Sequence, residues 1–288
     1  ANGTTNKRIF RYGLDPVTTN VKWKNNDRTT NTLVLTEVQY HVFKDVKMFV
    51  LANLSQTVHD GIANGTLDTQ DKIKEQVSVT LPANKAHDLE EPFLLTGETA
   101  TFSWDGDVDK EVPVDLKRAV AAVDIIIHYQ WEKLDPEHYE GGYKLKEFDS
   151  KTFVGEHYKV DELVDSDLRK LAKTTPANPT STISFYLNEY DFTKTGVTGF
   201  PPYILLALPK VDGAKELPGG LLPPPIGEGL AQGAEETYYR IVMPPTIQRN
   251  YHYTMHVYIN EAGSNKPEGA TSVRFQFSVK PWDRDLRN

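Results

Sequence analysis

Tyr251-His-Tyr-Thr-Met-His-Val-Tyr-Ile259 and, after a spacer, Val273-Arg-Phe-Gln-Phe-Ser-Val-Lys280 are the two stretches whose reading decides the fold. In the first, Tyr251, Tyr253, Met255, Val257 and Ile259 alternate with His252, Thr254, His256 and Tyr258. In the second, Val273, Phe275, Phe277 and Val279 alternate with Arg274, Gln276, Ser278 and Lys280, and Pro281 and Trp282 close the run. A period of two sends successive side chains to opposite faces, so both stretches read as half-buried β-strands. Residues 261–270 between them are a Gly, Ser, Asn and Pro spacer. A strand this amphipathic at the end of a chain must cover a core edge, either its own or that of another molecule.

Working outward, residues 112–129 carry Val112, Val114 and Leu116 and then an almost wholly apolar run broken by Asp124. Pro113 and the Ile125-Ile126-Ile127 triplet favour a long buried strand over an Ala-rich helix. Residues 33–52 read as two consecutive strands turning at Lys44-Asp45, with Val46, Met48, Val50 and Ala52 on one face and Phe49 and Leu51 on the other. Residues 67–77 place Leu67, Ile73 and Val77 among charged residues, a short surface helix, before Val77-Ser-Val-Thr-Leu81 returns to period two. Residues 92–104 supply further strands around Gly97. Val160, Leu163, Val164, Leu168 and Leu171 recur at helical spacing and predict a second short helix. The Pro- and Gly-rich residues 212–236, including Pro223-Pro224-Pro225, predict a long exposed excursion. Asn2, Thr4, Thr5, Asn6, Asn25, Asn26, Thr29 and Thr30 make the N-terminal region polar and loosely held.

At 288 residues the chain has room for about two domains with real cores. It has no cysteine, which removes disulfides, thiol nucleophiles and Cys-ligated metals. With 40 acidic against 32 basic residues its net charge is −8, which argues against a phosphate-neutralising nucleic-acid surface. No apolar run approaches the ~20 residues of a membrane-spanning helix. The sequence begins at Ala1 with neither Met nor a charged-then-apolar leader, as expected either of a processed mature chain or of an expressed portion of a longer one.

Chemistry is sparse. Asp105, Asp107 and Asp109 alternate as calcium ligands do, but Lys110 and Leu116 stand at the sixth and twelfth loop positions, so a solvated turn is the better reading and calcium a weak candidate. Gly227, Gly229 and Gly233 follow a triple proline rather than a strand, which removes the phosphate-cradling geometry. His252 and His256 are four apart, but on a strand that is about 13 Å at about 3.3 Å per residue, too far for one metal. No Gly-x-Ser-x-Gly elbow is present, and no catalytic residue is assigned. Tyr12, Trp23, Tyr40, Trp131, Tyr139, Tyr143, Tyr158 and Tyr190 could stack on sugars or serve as core and sheet residues.

Five stretches resemble the fimbrillins, the pilins of the type V fimbriae of the Bacteroidales. They are Val46-Lys-Met-Phe-Val-Leu-Ala-Asn53, Pro92-Phe-Leu-Leu-Thr-Gly97, Val114-Asp-Leu-Lys-Arg-Ala-Val120, Ile247-Gln-Arg-Asn-Tyr-His-Tyr253 and the closing Phe277-Ser-Val-Lys-Pro-Trp282. The resemblance covers nearly the full chain and is nearest to an accessory, tip-associated subunit of the short fimbriae of the Porphyromonas kind. It implies a mostly β chain with two β-sandwich domains of transthyretin-like or Greek-key type, a few short helices and an appended C-terminal strand. The boundaries expected are 1–112, 113–262 and a linker with candidate donor strand at 263–288. It further implies a non-enzymatic cell-surface subunit, exported through the outer membrane from a lipoprotein precursor and trimmed by an arginine-specific protease at Arg8, Arg11 or Arg28. Trimming would open a groove that a neighbour's C-terminal strand fills. Carried onto this chain, the donor residues are Val273, Phe275, Phe277 and Val279, with Trp282 as closing anchor. The partners implied are shaft and accessory pilins and surface receptors of host or bacteria, with no cofactor and no nucleic acid. The alternatives kept open are that the last strand finishes its own domain, and that the chain is a cell-surface carbohydrate-binding module.

Overall fold

The structure is a computed structural model that describes residues 21–22, 32–33, 43–105, 110–134, 136–137, 140–160, 162–194, 199–210 and 235–282. The chain is mostly β, arranged in several sheets with little helix. Its centre is a four-stranded sheet in the order Thr180–Asn188, Val120–Tyr129, Tyr251–Ile259, Phe275–Pro281. A five-stranded sheet runs in the order Arg169–Lys170, Gly142–Lys146, Tyr203–Lys210, Glu235–Val242, Thr271–Ser272. Ile125, Ile127, Ile183, Met255 and Val257 of the first and Leu145, Ile204, Leu206 and Ile241 of the second belong to one core.

The strand Val120–Tyr129 explains its own composition. Ile125 and Ile127 face the shared core and are fully buried. Val120 and Ala122, on the other face, are buried against Leu81, Leu89, Phe93 and Trp282. The strand is therefore covered on both faces at its start and on one face thereafter, which is why polarity begins at Asp124 and returns at His128.

Toward the N-terminus, Phe43–Val46 pairs with Phe102–Trp104, and Phe49–Ala52, Leu95–Glu98 and Lys117–Arg118 form a three-stranded sheet. Residues 34–42, the greater part of the first strand expected within 33–52, lie outside the described residues. The pairing is irregular around Asp45, whose φ is 52°, and the strands part at Lys47-Met48, a little later than the turn expected. Phe49–Ala52 is partly buried throughout, in keeping with apolar residues on both faces. A Cβ at Gly97 would lie 2.5 Å from the Asp115 carbonyl oxygen, so the close passage of that loop requires glycine. Val58, Ile73, Leu94, Ala119 and Val154 form the core beneath this region.

The helix expected within 67–77 is present as Gln70–Lys74, with the Thr69 side chain accepting the Lys72 N–H and Ile73 buried. A helix not foreseen, Gln56–Asn64, precedes it and ends on Gly65 at φ 82°. The helix expected from Val160 to Leu171 does not form. The segment instead makes the short strands Leu163–Val164 and Arg169–Lys170. Its polar residues are engaged elsewhere: Asp165 accepts the Glu147 N–H, Ser166 Oγ accepts the Leu145 N–H, and the Asp165 carbonyl accepts the Ala86 N–H. These bonds compete directly with a helical ladder, and Leu163 is left 56% exposed. Of the excursion expected over 212–236, the last two residues open the strand Glu235–Val242 and the rest lies outside the described residues.

Candidate functional site

The terminal strand Phe275–Pro281 lies antiparallel to Tyr251–Ile259, with Phe275 opposite Val257, Phe277 opposite Met255 and Val279 opposite Tyr253. Directly opposed residues share a face, so the apolar row points to the side of the sheet on which Tyr253, Met255 and Val257 are buried. Yet Phe277 is 51% and Val279 40% exposed. Val273 and Phe275 pack against the main core. The row is divided: its first half packs inside this chain and its second half lies on a core-facing side that the described residues cover only in part. Full burial of such side chains is worth roughly 1.5–3 kcal/mol each, so about half of that remains available at Phe277 and Val279.

Trp282 ends the strand in a built box. It is 7% exposed; its ring stacks on Tyr186 at 5.4 Å and 18°, lies 5.7 Å from Phe93, and carries the Arg118 guanidinium 4.2 Å above its centre. Its N–H donates to the Asn250 carbonyl and its carbonyl accepts from Arg118 Nη1 at 3.1 Å. Asn250 sits at φ 62°, a conformation Asn tolerates, and its side-chain oxygen accepts the Arg118 N–H.

One residue before Asn250, Arg249 is buried with Glu189. Arg249 Nε donates to Glu189 Oε1 at 2.8 Å, Nη1 to the Val154 carbonyl at 3.1 Å, and Nη2 to the carbonyls of Phe153 and Gly155. Glu189 Oε1 also accepts the His157 N–H at 2.7 Å. The pair is thus held by many hydrogen bonds, the condition under which buried ions are tolerated. Sequence reasoning singled out the Arg249-Asn250 stretch but not Glu189, whose pairing spans sixty residues and has no local signature.

The histidines of the outer sheet face take separate partners. His252 Nε2 is 2.7 Å from Asp124 Oδ2, while His128 Nε2 and His256 Nδ1 lie 3.0 Å apart. Burial, and then the charge of His256, hold the His128 imidazole below its usual range. Of the aromatics noted as sugar-stacking candidates, Tyr190 is core, Tyr143 packs edge-on against His87, and the Tyr158 ring lies under Lys194. Asp105 is exposed, and Asp107, Asp109, Arg8, Arg11, Arg28, Tyr12, Trp23, Tyr40 and Tyr139 lie outside the described residues. No helix among the described residues is long and apolar enough to cross a membrane.

His87 belongs to the loop that ties the N-terminal strands to the main core, wedged against Tyr143 and Phe185. Burial, aided by the Arg169 charge, pushes its imidazole down to about 4. An unfolded histidine titrates near 6.5, so below that pH the unfolded chain binds the proton that the folded chain refuses. The stabilisation is fully present above about pH 6.5 and is lost as pH falls toward 4. Allowing for the ring's partial exposure, the loss is about 1–2 kcal/mol. His87→Phe, which keeps the aromatic packing and removes the proton, is expected to lose that much less stability between pH 7 and pH 4.5 in urea denaturation. Equal losses in both proteins would show that His87 contributes nothing to the acid response.

No protein-family model matches the sequence, and no curated protein matches it. Solved structures do. A "putative cell adhesion protein" from Bacteroides eggerthii superposes with a TM-score of 0.54 at 13% identity, over 82% of this chain and 77% of that one. A cell adhesion protein described in the same words from Parabacteroides distasonis gives 0.49 at 14% identity, over 85% and 78%. A fimbrilin from Porphyromonas gingivalis gives 0.46 at 14%, over 74% and 75%. The first of these establishes a shared fold.

Proposed function

We propose that this chain is a non-enzymatic structural subunit of a bacterial cell-surface fimbria, a fimbrillin of the type V class, that joins its neighbours by strand exchange and stands at or near the tip. The observation that carries this reading is the divided row of the terminal strand: Phe277 and Val279 point to the core side of an edge strand at the end of the described chain and remain half exposed. A strand that only finished its own sheet would have no physical reason to keep two large apolar groups in water on that side. The fold shared with a cell adhesion protein of Bacteroides eggerthii supports it.

In this reading the chain comprises two β-sandwich domains, 1–112 and 113–262, and the segment 263–288, which includes the donor strand. The transthyretin-like or Greek-key arrangement, the lipoprotein precursor, passage through the outer membrane and cleavage at Arg8, Arg11 or Arg28 belong to the same proposal. In assembly, Val273, Phe275, Phe277 and Val279 fill a neighbour's groove while the strand's backbone completes its hydrogen-bond ladder.

Deleting residues 271–288 is expected to abolish incorporation into fimbriae. That variant also removes the Trp282 anchor, so the sharper test is the pair Phe277→Ser and Val279→Ser. Because both side chains are half exposed in the free chain, the double variant is expected to lose only about 1.5–3 kcal/mol and to remain folded. Its yield in purified fimbriae is expected to fall at least tenfold. Normal incorporation of a folded double variant sinks the strand-exchange reading.

A further inference from the structure

Two walls of the box that receives Trp282 come from the N-terminal sheet and its approach, while Tyr186 on Thr180–Asn188 supplies a third from the central sheet. Arg118, whose guanidinium covers the indole, lies on Lys117–Arg118, the strand that pairs with Leu95–Thr96. Phe93, on another side of the ring, immediately precedes Leu94, which is 3% exposed in the core shared with Val58 and Ile73 and packed against Phe49 and Leu51. The Phe93 carbonyl accepts from Asn53 Nδ2 at 2.8 Å, just beyond the strand Phe49–Ala52, and the Leu94 carbonyl accepts the Ala119 N–H at 2.9 Å. A single side chain at the end of the terminal strand therefore holds both the third strand of the N-terminal sheet and the approach to its middle strand.

We propose that Trp282 couples the docking of the terminal strand to the order of the sheet Phe49–Ala52, Leu95–Glu98 and Lys117–Arg118, so that a chain whose terminal strand has been drawn away presents a loosened N-terminal sheet. The two states are physically defined. With Trp282 seated, Phe93 and Arg118 are fixed by ring packing and by the Arg118 bond to the Trp282 carbonyl. With Trp282 withdrawn, Val120, Ala122, Leu81 and Leu89 lose part of their cover, Phe93 loses a wall, and Arg118 loses its ring and the Trp282 carbonyl while keeping Asn250 Oδ1 at 3.5 Å. Both ends of the coupling bias one seated-or-withdrawn equilibrium, which is the requirement for energetic linkage between distant sites. Its use in assembly rests on the strand-exchange reading: giving the strand to one neighbour would make the same chain's N-terminal sheet readier to accept another, and growth would acquire a direction. The contact itself needs no such assumption.

Hydrogen exchange on the full chain tests it. Trp282→Ala is expected to speed exchange of the amides in Phe49–Ala52 and Leu95–Glu98 at least tenfold while leaving Tyr203–Lys210 unchanged, and Trp282→Phe is expected to restore most of the protection. Should Trp282→Ala unfold as a whole, a covalent lock decides the matter. The chain has no cysteine, and Thr254 and Ser278 stand opposite one another, so Thr254→Cys with Ser278→Cys pins the strand in its seat when oxidised. Oxidation is expected to slow exchange in both Phe275–Pro281 and Leu95–Glu98 relative to the reduced form. Slowing confined to the terminal strand overturns the proposal, as does a folded Trp282→Ala with unchanged exchange at Leu95–Glu98. These readouts need no fimbriae, so they fail independently of the incorporation experiment.

Discussion

Replacing Arg249 with Ala lowers the stability of the folded chain by about 3–5 kcal/mol, the expected effect of stranding a buried charge. The substitution leaves the Glu189 carboxylate 4% exposed with its cation gone, and it also removes the donors to the carbonyls of Phe153, Val154 and Gly155. Each loss has a desolvation cost that water cannot relieve in a site this closed. The pair as a whole is worth much less than either half. Arg249→Met combined with Glu189→Gln is therefore expected to recover a good part of the loss, because the uncompensated charge disappears with its partner. Urea denaturation of Arg249→Met, Glu189→Gln and the double variant forms a cycle whose coupling is expected to exceed about 1.5 kcal/mol. A single-variant loss below about 1 kcal/mol would mean that the guanidinium is replaceable by water and that the ion pair does not bind these segments together.

Trp282→Ala comes second in size. Truncating a buried aromatic residue costs about 3–5 kcal/mol where surrounding structure cannot collapse into the space, and Trp282 is enclosed by Phe93, Tyr186 and Arg118. Its position next to the last strand limits how that loss is expressed. Once the anchor is gone, Phe275–Pro281 can detach locally for less than the cost of global unfolding. Rapid tryptic cleavage after Arg274 with little change in the main thermal transition is the expected result, since Pro281 protects the bond after Lys280. Trp282→Phe keeps a ring against Tyr186 and is expected to remain resistant. Equal protease resistance of Trp282→Ala and the parent would show that the seven register pairs with Tyr251–Val257 hold the strand without the anchor.

The first of these effects could not have been foreseen from the order of residues. Arg249 stood out in its local stretch, but Glu189 and the carbonyls around Val154 reach it from elsewhere in the chain. The strands Val120–Tyr129, Tyr251–Ile259 and Phe275–Pro281 were legible because alternation and β-branched runs are local signals. The segment around Val164 was misread for the same reason. Its apolar spacing was helical, but Phe148 pairs with Val164 and the Asp165 and Ser166 side chains bond to distant backbone, and those long-range partners prevail over spacing. Helix Gln56–Asn64 passed unseen because its only buried residue is Val58, too little for a visible stripe.

Trp282 and the row before it mark the boundary between the two kinds of information. That Phe275, Phe277 and Val279 share a face with one another follows from the sequence alone, since side-chain direction along a strand repeats every two residues whatever surrounds it. That Phe277 is 51% exposed while Tyr253, with the same alternating pattern, is 4% exposed is a tertiary fact. Alternation dictates which way a side chain points, but cover is supplied by elements far away in the chain, and at Phe277 and Val279 the described residues supply only part of it.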